Sequence, residues 1–170
     1  TSGSTGSPKG VLLRHVSISQ ALMNMYFLGM LNISLEGAKE LPGGAEQETP
    51  LLTVPLFHGT GLVSGLLLPL QMGQKVVLMY KWDTETALKL IEEEKITGLT
   101  SVPTILQGLF THPNYDKYDT SSLFRVGAAG AATPEGLPDL IESRISKVSR
   151  SAGWALTETM SVGTAMSGDI

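Results

Sequence analysis

Residues 75–110 read KVVLMYKWDTETALKLIEEEKITGLTSVPTILQGLF, and the alternation inside this stretch decides the fold class. Lys75–Met79 is an apolar run of strand length. Thr84–Glu94 then sets Ala87, Leu88 and Ile91 at helical spacing behind Asp83, a residue type that caps helix N-termini with its carboxylate. Thr97–Ser101 is again strand-like, and Thr104–Phe110 helical. Strand and helix in strict alternation imply parallel strands joined by helical crossovers.

The same rhythm extends outward. Upstream lie a strand Leu51–Val54 and a helix Leu62–Gln71; downstream come a polar, turn-like His112–Ser122, a strand Leu123–Ala128, a helix from Pro134 to about Ile145 with Pro134 in its first turn, and a strand Val148–Ala152 ended by a sharp turn at Gly153. Ser17 to about Leu31 places Ile18, Leu22, Met25, Tyr26 and Met30 on one helical stripe expected to be buried, with Ser17 or Ser19 as cap, and Val11–Leu13 before it is a strand-like apolar run. Glu36–Thr49, with Pro42, Gly43 and Gly44, reads as a surface loop. No internal repeat or linker divides the chain. The expectation is an α/β fold: a largely parallel β-sheet with flanking helices.

With 170 residues, 42% of them hydrophobic, the chain can bury one sizeable core. A formal net charge of -4 supplies no basic field for nucleic acid or anionic lipid, so neither is an expected partner. The absence of cysteine excludes disulfides, thiolate metal sites and thiol nucleophiles, and fits a cytoplasmic location. Leu51–Leu70 has the length of a membrane span and no charged residue, but Pro55, His58, Gly59, Gly61, Gly65 and Pro69 break it into strand, turn and short helix, so no transmembrane segment is expected. The run Glu92–Glu94 is read as a solvated helix face rather than a metal site.

Chemistry concentrates in four places. Thr1-Ser2-Gly3-Ser4-Thr5-Gly6-Ser7-Pro8-Lys9-Gly10 combines glycines, which let backbone N–H groups approach an anion, with hydroxyls and one ammonium. That is the composition of a polyphosphate cradle, and also of a flexible linker; the ordered Pro8-Lys9-Gly10 favours the cradle. It is not a Walker loop, because Lys9 runs into Gly10 and not into Ser or Thr at the start of a helix. His58 in Pro55-Leu56-Phe57-His58-Gly59-Thr60-Gly61 reads by itself as a histidine at the edge of the core. Gly127-Ala128-Ala129-Gly130-Ala131-Ala132 is small enough for a flat ring to lie on the main chain, and equally suits a tightly packed strand-to-helix turn. Thr157-Glu158 within Gly153-Trp154-Ala155-Leu156-Thr157-Glu158-Thr159 is, in isolation, a surface pair.

Taken in order, these segments resemble the adenylate-forming (AMP-binding) superfamily of acyl-CoA ligases, luciferases and peptide-synthetase adenylation domains. The first ten residues resemble its signature loop. Pro55–Gly61 resembles the segment that acyl-CoA ligases place between acyl pocket and nucleotide, where peptide-synthetase domains usually carry Phe-Asp. The Gly127–Ala132 stretch resembles the strand end lying against adenine, with Ala129 and Ala132 departing from its usual Gly and Pro. Gly153–Thr159 resembles the aromatic-flanked Thr-Glu segment, with Ala155 in place of Gly.

The resemblance implies ATP-dependent activation of a carboxylic acid, a fatty acid first, to an acyl-adenylate that coenzyme A then captures. It implies nucleotide contacts from Thr1, Ser2, Gly3, Ser4, Thr5, Gly6, Lys9, Gly130, Ala131, Ala132, Gly153, Trp154 and Thr157, catalytic roles for Lys9, His58, Thr157 and Glu158, and Mg²⁺ held by Glu158, since Mg²⁺ needs only one or two carboxylates besides phosphate oxygens and water. Residues 1–170 would form part of a larger N-terminal domain, with a ribose-binding aspartate, a hinge and the lysine of a mobile C-terminal domain outside the chain. Such a piece by itself is expected to turn over ATP little and to self-associate through exposed apolar surface. The competing readings are a non-catalytic nucleotide-binding module, to which Ala129, Ala132 and Ala155 lend some weight, and an adenylating domain of the peptide-synthetase or luciferase type.

Overall fold

A computed structural model describes residues 6–35, 47–145, 148, 151–161 and 163–167. The expected parallel sheet is present: β1 (Pro50–Leu52), β2 (Val77–Leu78), β3 (Gly98–Ser101) and β4 (Arg125–Ala128) run parallel in the order β2-β1-β3-β4. The strands are shorter than the apolar runs that encode them. Lys75–Met79 yields only two paired residues because β2 is an edge strand with the three-residue β1 as its one neighbour. Leu123 is held by a turn, its N–H donating to Thr120 O at 3.0 Å, so β4 starts later than Leu123.

Register aligns one apolar row across the sheet: Val77, Leu51, Leu99 and Val126 lie side by side. The helices that cover this row are α3 (Thr84–Glu94), α4 (Pro103–Phe110) and α5 (Leu137–Arg144). Ala87, Leu88 and Ile91 of α3 are fully buried there, as the sequence spacing requires, each large side chain contributing about 1.5–3 kcal/mol. Asp83 caps α3 by accepting from Thr86 N–H at 2.8 Å. At its other end Lys95 is left-handed, and Glu94 pairs with Lys75. The helix α5 begins at Leu137 and not at Pro134, because Gly136 at φ 84 forms a turn first, leaving Pro138 in the opening turn where its missing N–H costs nothing.

Successive strand residues face opposite sides, so Leu52 points away from that core. Here the chain departs from the sequence reading. The segment expected as one helix, Leu62–Gln71, is a π-helix over Thr60–Leu67 continued by the short α2 (Leu68–Gln71), with Leu68 N–H donating to Val63 O five residues back. The π-helix lies so close to the preceding turn that a Cβ on Gly61 would stand 2.3 Å from Pro55 O. The long α1 (His15–Leu35) packs on it and starts earlier than expected, its first N–H groups on Arg14 O, with Ser17 and Ser19 inside rather than capping. Val11–Leu13 forms no strand. Ala21 is buried and Ile18, Leu22 and Met25 partly so, whereas Tyr26 and Met30, expected in the same stripe, are exposed. α1 touches its partner along a narrow line, and its apolar residues run around the whole helix.

The last element also differs. β5 (Ser151–Trp154) continues through Gly153, where a sharp turn was expected, and pairs antiparallel with β6 (Thr164–Ser167), which the sequence reading did not foresee. Among the described residues no helix is long and apolar enough to cross a membrane, and Leu51–Leu70 is split between strand, turn and two helical pieces.

Candidate functional site

In a sheet of order β2-β1-β3-β4, the chain leaves β1 toward one edge and later returns to β3 on the other side, and ligands bind at the carboxyl ends of strands where such a reversal occurs. The segments that follow β1, β3 and β4 therefore frame the site. They are tied together by hydroxyls. Thr53 Oγ1 donates to Ser101 Oγ at 3.1 Å, Ser101 is 2% exposed, and Ser101 O accepts Ala129 N–H at 3.0 Å. The small-residue turn after β4 is thus anchored at its first residue, while Gly130, at φ 83, Ala131 and Ala132 stand exposed.

His58 sits on the turn that follows β1. Its N–H donates to Pro55 O at 3.0 Å, and its Nδ1 accepts Thr60 N–H at 3.2 Å, so the neutral ring carries its proton on Nε2, on an exposed side chain. Thr60 reaches further: its Oγ1 lies 3.2 Å from Ser161 Oγ. That bond brings the His58 turn against the turn bearing Thr157 and Glu158. Gly59 leaves the room for it, since a Cβ there would meet Ser161 Oγ at 2.9 Å.

Thr157–Thr159 is a single 3₁₀ turn. Thr159 closes it, its Oγ1 accepting Leu156 N–H and donating to Leu156 O, both at 3.0 Å. Two consecutive non-glycine residues then adopt left-handed backbone, Met160 at φ 54 and Ser161 at φ 64. Each such residue costs on the order of 1 kcal/mol and persists only where its surroundings hold it. The pair is held by its own backbone, with Met160 N–H donating to Thr157 O at 3.1 Å and Ser161 N–H to Leu156 O at 3.3 Å, and further by the Thr60 bond and the Met160 side chain, 3% exposed against Val63 and Ala21.

Thr157 and Glu158 are exposed. Glu158 lines an open groove of about 410 Å³ together with Arg14, Ser17, Gln20 and Asn24 of the α1 region and with Met160. The groove carries one guanidinium and one carboxylate at its rim, a combination suited to a metal–phosphate ligand. Among the described residues no three His, Asp or Glu side chains cluster, so a cation here would rest on Glu158, phosphate oxygens and water; that donor set fits Mg²⁺, which keeps much of its hydration.

Trp154 ends β5 and is 59% exposed, and Gly153 is paired with Ala165 inside the ribbon. β5 runs close to β4. Gly6, at φ 136, and Lys9 are exposed on the extended segment leading into α1, whereas Thr1, Ser2, Gly3, Ser4 and Thr5 lie outside the described residues. The structure thus joins His58 with the Thr157–Glu158 turn, and Glu158 with the groove at Arg14. Sequence reasoning assigned no role to Arg14 or Ser161 and took Thr60 only as a member of the Pro55–Gly61 segment, since single polar residues far apart in the chain leave no pattern.

Residues 1–169 match the AMP-binding enzyme family. The long-chain-fatty-acid–CoA ligase of Bacillus subtilis (strain 168) is 35% identical over 134 residues, covering 79% of this chain and 22% of that protein. The 4-coumarate–CoA ligase 3 of Arabidopsis thaliana is 31% identical over 170 residues, covering 97% of this chain and 29% of that protein. Among solved structures, O-succinylbenzoate coenzyme A synthetase (MenE) from Bacillus subtilis, in complex with ATP and magnesium ion, superposes with a TM-score of 0.74 at 26% identity over 98% of this chain and 31% of that one. The chain spans less than a third of the length of each.

Proposed function

Because the chain belongs to the AMP-binding enzyme family, we propose that it is part of the adenylation domain of an acid–thiol ligase that activates a carboxylic acid with ATP and passes the acyl group to coenzyme A. The observation that carries the proposal is the contact between the His58 turn and the Glu158 turn through Thr60 and Ser161, which brings the two segments that bear the imidazole and the carboxylate against one another. A carboxylate oxygen of the acid attacks the α-phosphorus of ATP and pyrophosphate leaves. The protein's part is to orient the reactants and to offset charge growing on the phosphates.

In this reading Lys9, Thr157 and the loop Thr1, Ser2, Gly3, Ser4, Thr5 and Gly6 hold the phosphates. Gly130, Ala131 and Ala132 accept adenine against their main chain, with Gly153 and Trp154 beside it. His58 lines the wall between acyl group and nucleotide. Mg²⁺, when bound through Glu158, would neutralise part of the polyphosphate charge. A fatty acid is the first candidate substrate and an aromatic acid the second, in line with the fatty-acid and 4-coumarate ligases to which the chain is similar. A cytoplasmic location belongs to the same proposal. So do low turnover by the 170 residues alone, for want of groups contributed from outside them, and their self-association through α1, where Val16 and Phe27 are 63% and 64% exposed.

The test is acid-dependent exchange of labelled pyrophosphate into ATP, in the full-length polypeptide that carries this segment, over short, long-chain and aromatic acids. Exchange with one acid class, lost in Lys9→Ala and Glu158→Ala, is the expected result. A folded protein that binds ATP but exchanges with none would support a non-catalytic nucleotide-binding module instead.

A further inference from the structure

We infer that Thr60 and Ser161 act as a clasp, positioning residues that hold the Glu158 turn against the His58 turn and so set the metal requirement of the reaction; the inference rests on the adenylation reading above. Three observations carry it. Thr60 serves both walls at once, its N–H on His58 Nδ1 at 3.2 Å and its Oγ1 on Ser161 Oγ at 3.2 Å. Ser161 follows closely after Glu158 and is left-handed at φ 64; its N–H closes the turn on Leu156 O at 3.3 Å, and its side chain is tied to the His58 segment by the Thr60 hydroxyl bond. Thr60 also opens the π-helix, a rare winding that recurs at functional sites, and Val63 of the same helix receives the Met160 side chain.

The hydroxyl bridge and the Met160 contact divide the work. Met160 fixes the depth of the turn on the π-helix by burial, a contact without direction. The hydroxyl bond is directional and lies toward the His58 side, so it fixes how the turn is rotated, and with it where the Glu158 carboxylate points. Glu158 does not touch Thr60; the effect passes through the backbone of a few residues. A group that orients a metal-binding side chain in this way alters metal affinity by roughly 10- to 100-fold when it is removed.

The test uses the full-length polypeptide and compares Thr60→Val, Thr60→Ser, Ser161→Ala, Ser161→Gly and the double variant Thr60→Val/Ser161→Ala. In pyrophosphate exchange, Thr60→Val and Ser161→Ala are expected to raise the Mg²⁺ concentration for half-maximal rate by roughly 10-fold or more, with a smaller change in KM for the acid. Thr60→Ser should restore the wild-type requirement. The double variant should be no worse than the worse single, because both remove one bond. Ser161→Gly is the decisive variant. Glycine suits the left-handed backbone, so a purely structural role predicts an unchanged or improved enzyme, whereas the clasp predicts the raised Mg²⁺ requirement. An unchanged requirement in Ser161→Gly and Thr60→Val, or additive effects in the double variant, would overturn the inference. Absence of exchange in the wild type would overturn the adenylation reading instead, and the clasp would then be judged by amide hydrogen exchange of residues 157–161. Faster exchange in Thr60→Val with α3 and α4 unaltered sustains it, and equal rates overturn it.

Discussion

Met160 packs against Val63, the two side chains 3% and 0% exposed, and this apolar contact seats the acid-bearing turn on the π-helix. Truncating Met160 to alanine removes the plug while leaving the sheet and its larger core untouched. The expected cost is about 2–3 kcal/mol, the lower part of the range for buried Met→Ala, because the cluster it leaves is small and part of its surface is already open. Urea unfolding of Met160→Ala against the parent protein reads this directly, and a cost near zero would mean that the contact carries no stability.

Gly163 passes so close to Trp154 that a Cβ would stand 1.9 Å from the Trp154 carbonyl oxygen and 3.1 Å from its ring. The obstruction is backbone, which cannot swing aside as a side-chain end can. Gly163→Ala is therefore expected to part the β5–β6 ribbon at that end, speeding amide exchange at Trp154 and Thr164, which are paired there, by at least about tenfold while leaving β3 and β4 as they were. If the proposed adenine contact of Trp154 is right, the same change weakens ATP binding, measured by calorimetry.

Three solvent-accessible carboxylates contribute to the acid limb of stability, each modestly because water screens them. Asp119 is held well below the ordinary carboxylate range by the Ser121 hydroxyl and then by Lys95; Glu85 is lowered by the Tyr118 hydroxyl and then Asn114, and Asp83 by the Thr86 hydroxyl and N–H. A folded-state pKa lower than the unfolded one contributes stability that is complete above the unfolded value and is lost as pH falls through the folded value. The urea midpoint is thus expected to be flat from pH 7 to about pH 5 and to decline below about pH 4. Asp119→Asn should flatten that decline, and a variant as steep as the parent would show that the Lys95–Asp119 corner contributes little.

The elements that sequence made legible are those whose local signals agree with their surroundings. α3 is one: Asp83 supplies the cap, and Ala87, Leu88 and Ile91 supply a stripe that the row Leu51–Leu99–Val126 covers. Thr60–Leu67 is the opposite case. An apolar run of that length reads as an α-helix, and nothing in its spacing announces either the π winding or the close approach of Gly61 to the Pro55 carbonyl. The ribbon of β5 and β6 was missed for a related reason, since its strands are joined by a long excursion through Glu158 and not by a tight hairpin turn. Tyr26 and Met30 have the spacing of a buried stripe, but spacing alone does not say how much of a helix a neighbour will reach.

The site divides in the same way. His58 and Glu158 are singled out only through resemblance of whole segments, each of which by itself would pass for a core-edge histidine or a surface acid. The roles of Ser101, which ties Thr53 to the small-residue turn, and of the pair Thr60 and Ser161 are not legible in the sequence, because a hydroxyl acquires its role only from a partner that folding supplies.

The most direct test of the central claim is to identify the product formed before any thiol is present. The full-length polypeptide is mixed with ATP, Mg²⁺ and the acid that supports exchange, without coenzyme A, and the quenched mixture is resolved by mass spectrometry. Acyl-AMP and pyrophosphate in equal amounts, with the acyl-AMP consumed when coenzyme A is added, is the predicted result. ADP and phosphate, or ATP bound and recovered intact with every acid, would contradict it.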